Sequence, residues 1–100
     1  MKLQKRNGEQ VTFDRRKIEI ALEKANTSVA PVDAITSEEI KSIALDVENQ
    51  CTSIGHIPHV EEVQDLVENA LIGKNKANLV RNYITYRYEH QLRRKANSTD

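Results

Sequence analysis

KLQKRNGEQVTFDRRKI, residues 2–18, joins a hairpin turn to a capped helix start and crowds both with cations. Lys2-Leu3-Gln4-Lys5-Arg6 and Glu9-Gln10-Val11-Thr12-Phe13 flank Asn7-Gly8. That dipeptide is the strongest short hairpin signal, because a type I′ turn needs φ > 0 at both central residues. Residues 2–13 therefore read as a β-hairpin. Asp14 follows as an N-cap, its carboxylate accepting from free N–H groups in the first turn of a helix. Ile18, Ala21, Leu22 and Ala25 recur at helical spacing in that helix and give it one apolar stripe.

Outward from this stretch the chain reads as further helices. Thr36-Ser37-Glu38-Glu39 is a capping box, with Thr36 as N-cap and Glu39 three residues on. The helix it opens buries Ile40, Ile43, Ala44, Val47 and Cys51. Ser53–His59 is too broken for a helix and offers a brief third strand before Pro58, which opens the next helix. Val60, Val63, Leu66, Val67, Ala70 and Leu71 form a wide stripe there, and Gly73 closes it as the left-handed C′ residue. Asn75 caps a last helix whose inward positions are Ala77, Val80, Tyr83, Ile84, Tyr88 and Leu92. The expected fold class is α+β, a four-helix bundle capped by a small three-stranded sheet. One domain spans residues 1–93, and 94–100 form a polar tail or the start of a linker.

Composition narrows the function. The 100 residues carry no net charge, no tryptophan and 4% aromatics, while 30% are charged. No run reaches the roughly 18–20 apolar residues that span a bilayer, and no apolar signal-peptide core opens the chain. The single cysteine, Cys51, has no partner for a disulfide or a zinc ribbon, which suits a reducing, cytoplasmic setting. The zero net charge hides a segregation. Lys2, Lys5, Arg6, Arg15, Arg16 and Lys17 face only Glu9 and Asp14 near the N-terminus, whereas Lys41 is the lone base among the acids from Asp33 to Ala70. The C-terminal part turns basic again, with Lys74, Lys76, Arg81, Arg87, Arg93, Arg94 and Lys95. If the two ends meet, they form one positive region on an acidic body.

Catalysis finds no constellation. Cys51 sits on an apolar stripe, where a structural thiol is expected. His56 and His59 flank Ile57-Pro58 without metal-ligand spacing, and Glu38-Glu39 and Glu61-Glu62 lie in first turns, where the helix dipole favours negative charge. No catalytic or metal-binding residue is assigned. The basic turn supports two readings. Lys5, Arg6, Arg15, Arg16 and Lys17 converge on one compact anion, or they are a solvated face. Since neighbouring strand residues point to opposite faces, Lys5 and Arg6 cannot both point inward from a regular strand. A nucleic-acid or transcription-regulating module on the same basic region is the alternative. The acidic middle argues against a long polyanion and favours a nucleoside triphosphate.

These residues resemble the ATP-cone family found in ribonucleotide reductases and their transcriptional repressor. The family opens with V-x-K-R-[DN]-G, a phenylalanine and [DN]-x-x-K-[IL]; here stand Leu3-Gln4-Lys5-Arg6-Asn7-Gly8, Phe13 and Asp14-Arg15-Arg16-Lys17-Ile18. HVEEVQDLVENAL and ANLVRNYITYR resemble the family's middle and closing helices, so the likeness runs through almost the whole chain. It implies a domain that binds ATP or dATP as an effector, accompanied by Mg2+. Lys5, Arg6 and Lys17 would hold the phosphates, Leu3 and the hairpin backbone would border the base, and Asp14 would lie close to the nucleotide. Val60, Gln64 and either Arg87 or Tyr88 would complete the site. Within the family the chain is most similar to the N-terminal cone of anaerobic, glycyl-radical ribonucleoside-triphosphate reductases. The partners this implies are the reductase's catalytic domain and a nucleotide-dependent homo-oligomer, with no membrane and no nucleic acid.

Overall fold

The computed structural model describes residues 1–97, with side chains described through residue 91. The side chains of Leu92, Arg93, Arg94 and Lys95 fall outside those described, as do residues 98–100 of the expected tail, whereas 94–97 continue the last helix. Strands β1 (Lys2–Gln4) and β2 (Gln10–Thr12) form an antiparallel pair with Leu3 opposite Val11. Helices α1 (Arg15–Thr27), α2 (Ser37–Ser53), α3 (Val60–Ile72) and α4 (Ala77–Asn97) follow, with a single 3₁₀ turn at Pro31–Asp33. The sheet has two strands rather than three. The segment before α3 contributes one parallel bridge, Gln4 to His59, in which Gln4 N–H donates to the Pro58 carbonyl at 2.9 Å. Pro58 and the bundled helices allow a point of attachment and no more.

The hairpin turn also differs from the type I′ expectation. Gly8 N–H donates to the Lys5 carbonyl (2.9 Å), and Lys5 N–H donates to the Glu9 carbonyl (2.8 Å). This is a three-residue loop closed by one left-handed residue, Gly8 at φ +88°, while Asn7 keeps a negative φ. The Asn7 side chain instead accepts from Glu9 N–H at 2.9 Å, closing the loop through its amide. Asp14 caps α1 as expected, accepting from Arg16 N–H at 3.0 Å. Thr36 and Glu39 complete their capping box.

The core runs along the four helices. Ile18, Leu22 and Ala25 of α1 meet the whole expected stripe of α2, Ile40, Ile43, Ala44, Val47 and Cys51. Val63, Val67 and Leu71 of α3 join them, with Leu79 and Tyr83 of α4. Pro58 is buried just before His59, the N-cap of α3, rather than inside the helix. Gly73 is not left-handed; its φ is −64°, and Asn75 at φ 59° makes the reversal before α4. The inward face of α4 is shifted from the expectation. Leu79 is fully buried, while Ala77 is exposed and Ile84 and Tyr88 are 44% and 60% exposed. Leu79 and Tyr83 are the buried residues of its inward face, with Tyr86 and His90 half-buried in line with them.

Candidate nucleotide site

The hairpin lies over the open end of the bundle, and between them is a cavity of about 460 Å³. That volume suits a small molecule. Each wall follows from local structure. Alternation puts Leu3 of β1 and Lys5 just beyond it on one face, opposed by Val11 of β2 and Phe13 just beyond that strand, and all four line the cavity. The Asp14 cap starts α1 so that Lys17, Ile18 and Ala21 face the same space. From α3 come Val60, Val63, Gln64 and Val67; from α4 come Tyr83, Tyr86, Arg87 and His90. The Tyr86 and His90 rings stack with centroids 5.7 Å apart, and Lys24 Nζ lies 5.9 Å from the Tyr86 ring.

Polar groups at this apolar bowl are few and unequal. Neither the Lys5 nor the Lys17 side chain has a hydrogen-bond or ion-pair partner among the described residues. Gln64 Oε1 is buried with no hydrogen-bond partner. A buried acceptor left unmatched costs about 1–3 kcal/mol, so its place in the wall fits a ligand donor. Arg87 also lines the cavity, but its Nη1 is held by Asp65 (2.9 Å) and Glu68 (3.3 Å) of α3. Burial pushes the Tyr83 hydroxyl far above its ordinary pKa, so it stays a neutral phenol.

The sequence-derived residues thus divide. Leu3, Lys5, Asp14, Lys17, Val60, Gln64 and Arg87 are brought together around one cavity. Arg6 lies outside it, its Nε 2.7 Å from Glu61 Oε1 and its Nη2 donating to Gln91 Oε1 at 3.1 Å. Arg15 is turned away as well, paired with Glu48 at 2.9 Å. Between the two α4 alternatives, Arg87 lines the cavity, whereas Tyr88 points to solvent. Tyr86 and His90 are not among the expected site residues; the phase set by Leu79 and Tyr83 is the signal that locates them.

The nucleic-acid alternative gains no support. Arg6, Arg15 and Arg87 are each tied to carboxylates, so three of the cations it would need are engaged within the protein. Burial raises the Cys51 pKa and keeps the thiol protonated. Among the described residues no group of three or more His, Cys, Asp or Glu converges to hold a metal ion. No helix there is long and apolar enough to cross a membrane.

An apolar bowl, two unpaired cations and one orphaned acceptor can take a planar base, a sugar and an anionic tail together. Comparison with known proteins agrees in kind. The family profile described as the ATP cone domain matches residues 1–92. The ribonucleoside-diphosphate reductase subunit alpha of Treponema pallidum (strain Nichols) is 35% identical over 98 residues, covering 94% of this chain and 12% of its own length. Its counterpart from Chlamydia trachomatis serovar D is 30% identical over 105 residues, covering 91% of this chain and 10% of that protein. The chain therefore spans 10% to 12% of the length of these curated relatives.

Proposed function

This chain belongs to the ATP-cone domain family, and from that premise we propose that it is an allosteric regulatory domain, binding ATP or dATP to control a ribonucleotide reductase in the cytoplasm. The chemistry step of such an enzyme lies elsewhere; this domain senses. The observation that carries the reading is the cavity itself, with Lys5 and Lys17 unpaired at an apolar bowl and Gln64 Oε1 without a donor.

In this reading the base and ribose occupy the space between Leu3, Val60 and the α4 wall, where Gln64 accepts from a ligand N–H or O–H. Lys5 and Lys17 hold the phosphates as charge-assisted donors. Asp14 keeps the first turn of α1 in place, so Lys17 is presented from a fixed backbone. Arg87, rather than Tyr88, is the α4 contact, through its stem. Mg2+ enters as the counter-ion of the triphosphate, held by phosphate oxygens and water.

ATP and dATP share every phosphate contact and differ by one hydroxyl, so affinity and signal separate. Only a difference in binding between two states of the enzyme shifts its activity, and coupling of about 1–3 kcal/mol is typical. The partner that reads the signal is the reductase's catalytic region, with a nucleotide-dependent homo-oligomer as the means. The resemblance narrows the enzyme to the anaerobic triphosphate reductases, while both relatives are named as diphosphate reductases. The wider reading is carried forward, and assaying the full-length protein on di- and triphosphate substrates decides between the classes.

Calorimetry with ATP, dATP and GTP at two salt concentrations tests the function. Saturable binding of both adenine nucleotides, tighter than GTP, is expected. No binding to any triphosphate, together with steeply salt-dependent affinity for DNA, overturns it.

A further inference from the structure

A second cavity, about 700 Å³, adjoins the first, and Lys5 and Val60 line both. Its wall carries Lys5, Arg6 and His59 beside the carboxylates of Glu61, Glu62 and Asp65. A ligand whose nucleoside fills the first cavity and whose phosphates reach Lys5 therefore points its far end toward the second. There the guanidinium best shaped for a phosphate is already occupied. Arg6 Nε meets Glu61 Oε1 at 2.7 Å, and Nη2 donates to Gln91 Oε1 at 3.1 Å. A carboxylate and a phosphate offer the same acceptor geometry to a guanidinium. They cannot both take the Nε edge.

We infer that Glu61 is an internal competitor for the ligand's terminal phosphate, lowering the affinity of the site for triphosphates while leaving that for shorter anions untouched. The inference rests on the nucleotide reading above and adds a residue whose loss strengthens binding. Arg6 exchanges Glu61 for phosphate only when the anion is long enough to pass Lys5. A monophosphate or a nucleoside leaves the Arg6–Glu61 pair intact. The exchange also frees Gln91, so occupancy is felt on α4 beyond the cavity.

The pair is solvent-accessible, with Arg6 and Glu61 side chains 29% and 56% exposed. The competition it exerts is accordingly modest. Glu61→Gln keeps the shape, removes the charge and leaves the fold of an exposed first-turn position undisturbed. Calorimetry on the 100-residue chain compares wild type, Glu61→Gln, Arg6→Ala and the double variant, each with ATP, AMP and adenosine. Expected is ATP binding about two- to fivefold tighter in Glu61→Gln, the range an exposed ion pair supports. AMP and adenosine should bind it as they bind wild type. In the Arg6→Ala background the gain from Glu61→Gln should vanish, which isolates the pair from a general loss of negative charge. Unchanged or weaker ATP binding in Glu61→Gln, with wild type binding normally, overturns the competitor. So does a gain that persists without Arg6 or extends to adenosine. A wild-type chain that binds no adenine nucleotide overturns the function as well.

Discussion

Two sets of cations stand around one ligand-sized space, and they keep different company. Lys5 and Lys17 line the cavity with no side-chain partner among the described residues. Arg6, next to Lys5 in the chain, and Arg87 of α4 are each held by carboxylates of α3. The arginines tie the hairpin and α4 to α3. The lysines tie nothing, and their charge is uncompensated until an anion arrives. The difference separates cations that assemble the site from cations that serve it, and proximity to the cavity alone does not draw that line. Arg6 passes to the second set only when a terminal phosphate displaces Glu61.

The sharpest way to break that comparison is to remove the serving cations. Lys5→Ala and Lys17→Ala should each cost about 2 kcal/mol of ATP affinity, near thirtyfold in Kd, by calorimetry. Thermal unfolding without ligand should change by less than about 0.5 kcal/mol. A large stability loss would mean that these lysines are structural after all. Arg87→Ala should do the reverse. It strands Asp65 and Glu68 beside each other and removes a stem whose side chain is 20% exposed. About 1 kcal/mol of stability is expected to go, a fall of some 4–8 °C in melting temperature, with a smaller loss of ATP affinity than for Lys17→Ala.

Capping carboxylates extend the assembling side. Glu39 is held below the usual carboxylate range first by the Thr36 backbone N–H it accepts, and Glu62 first by that of His59, then by His56. A depressed folded pKa contributes stability above the unfolded value and loses it as pH falls through the folded one. Unfolding followed from pH 7 to about pH 3 should therefore show stability falling below the ordinary carboxylate pKa. Glu39→Gln should flatten part of that fall. The smallest expected effect is that of Tyr88→Ala. This residue belongs to neither set, so ATP affinity and stability should both stay within about 0.5 kcal/mol of wild type.

Much of this was legible where local rules and tertiary packing agree. Thr36 to Glu39, Asp14 and the stripe from Ile40 to Cys51 are dictated by capping and by a helix with one clear apolar face. The last helix was harder because its apolar residues mark two phases. Ala77, Ile84 and Tyr88 define one, Leu79 and Tyr83 the other, and only packing on α1 and α3 selects the second. The hairpin turn misled in a similar way, since Asn7-Gly8 suits two loop types and the Asn7 amide stabilises the longer one. Proximity of Lys5, Lys17, Val60 and Gln64 could be expected from the family likeness. That Arg6 and Arg87 would be claimed by Glu61, Asp65 and Glu68 could not, because ion-pair choice between distant segments depends on how the helices pack.

Amide chemical shifts of the isotopically labelled chain, followed during titration with ATP, test the central claim most directly. The account predicts that the large changes cluster at Leu3, Lys5, Asp14, Lys17, Val60 and Gln64, with Ile84 and Tyr88 still. Changes centred on the Ile84–Tyr88 face, or none at saturating ATP, would contradict it.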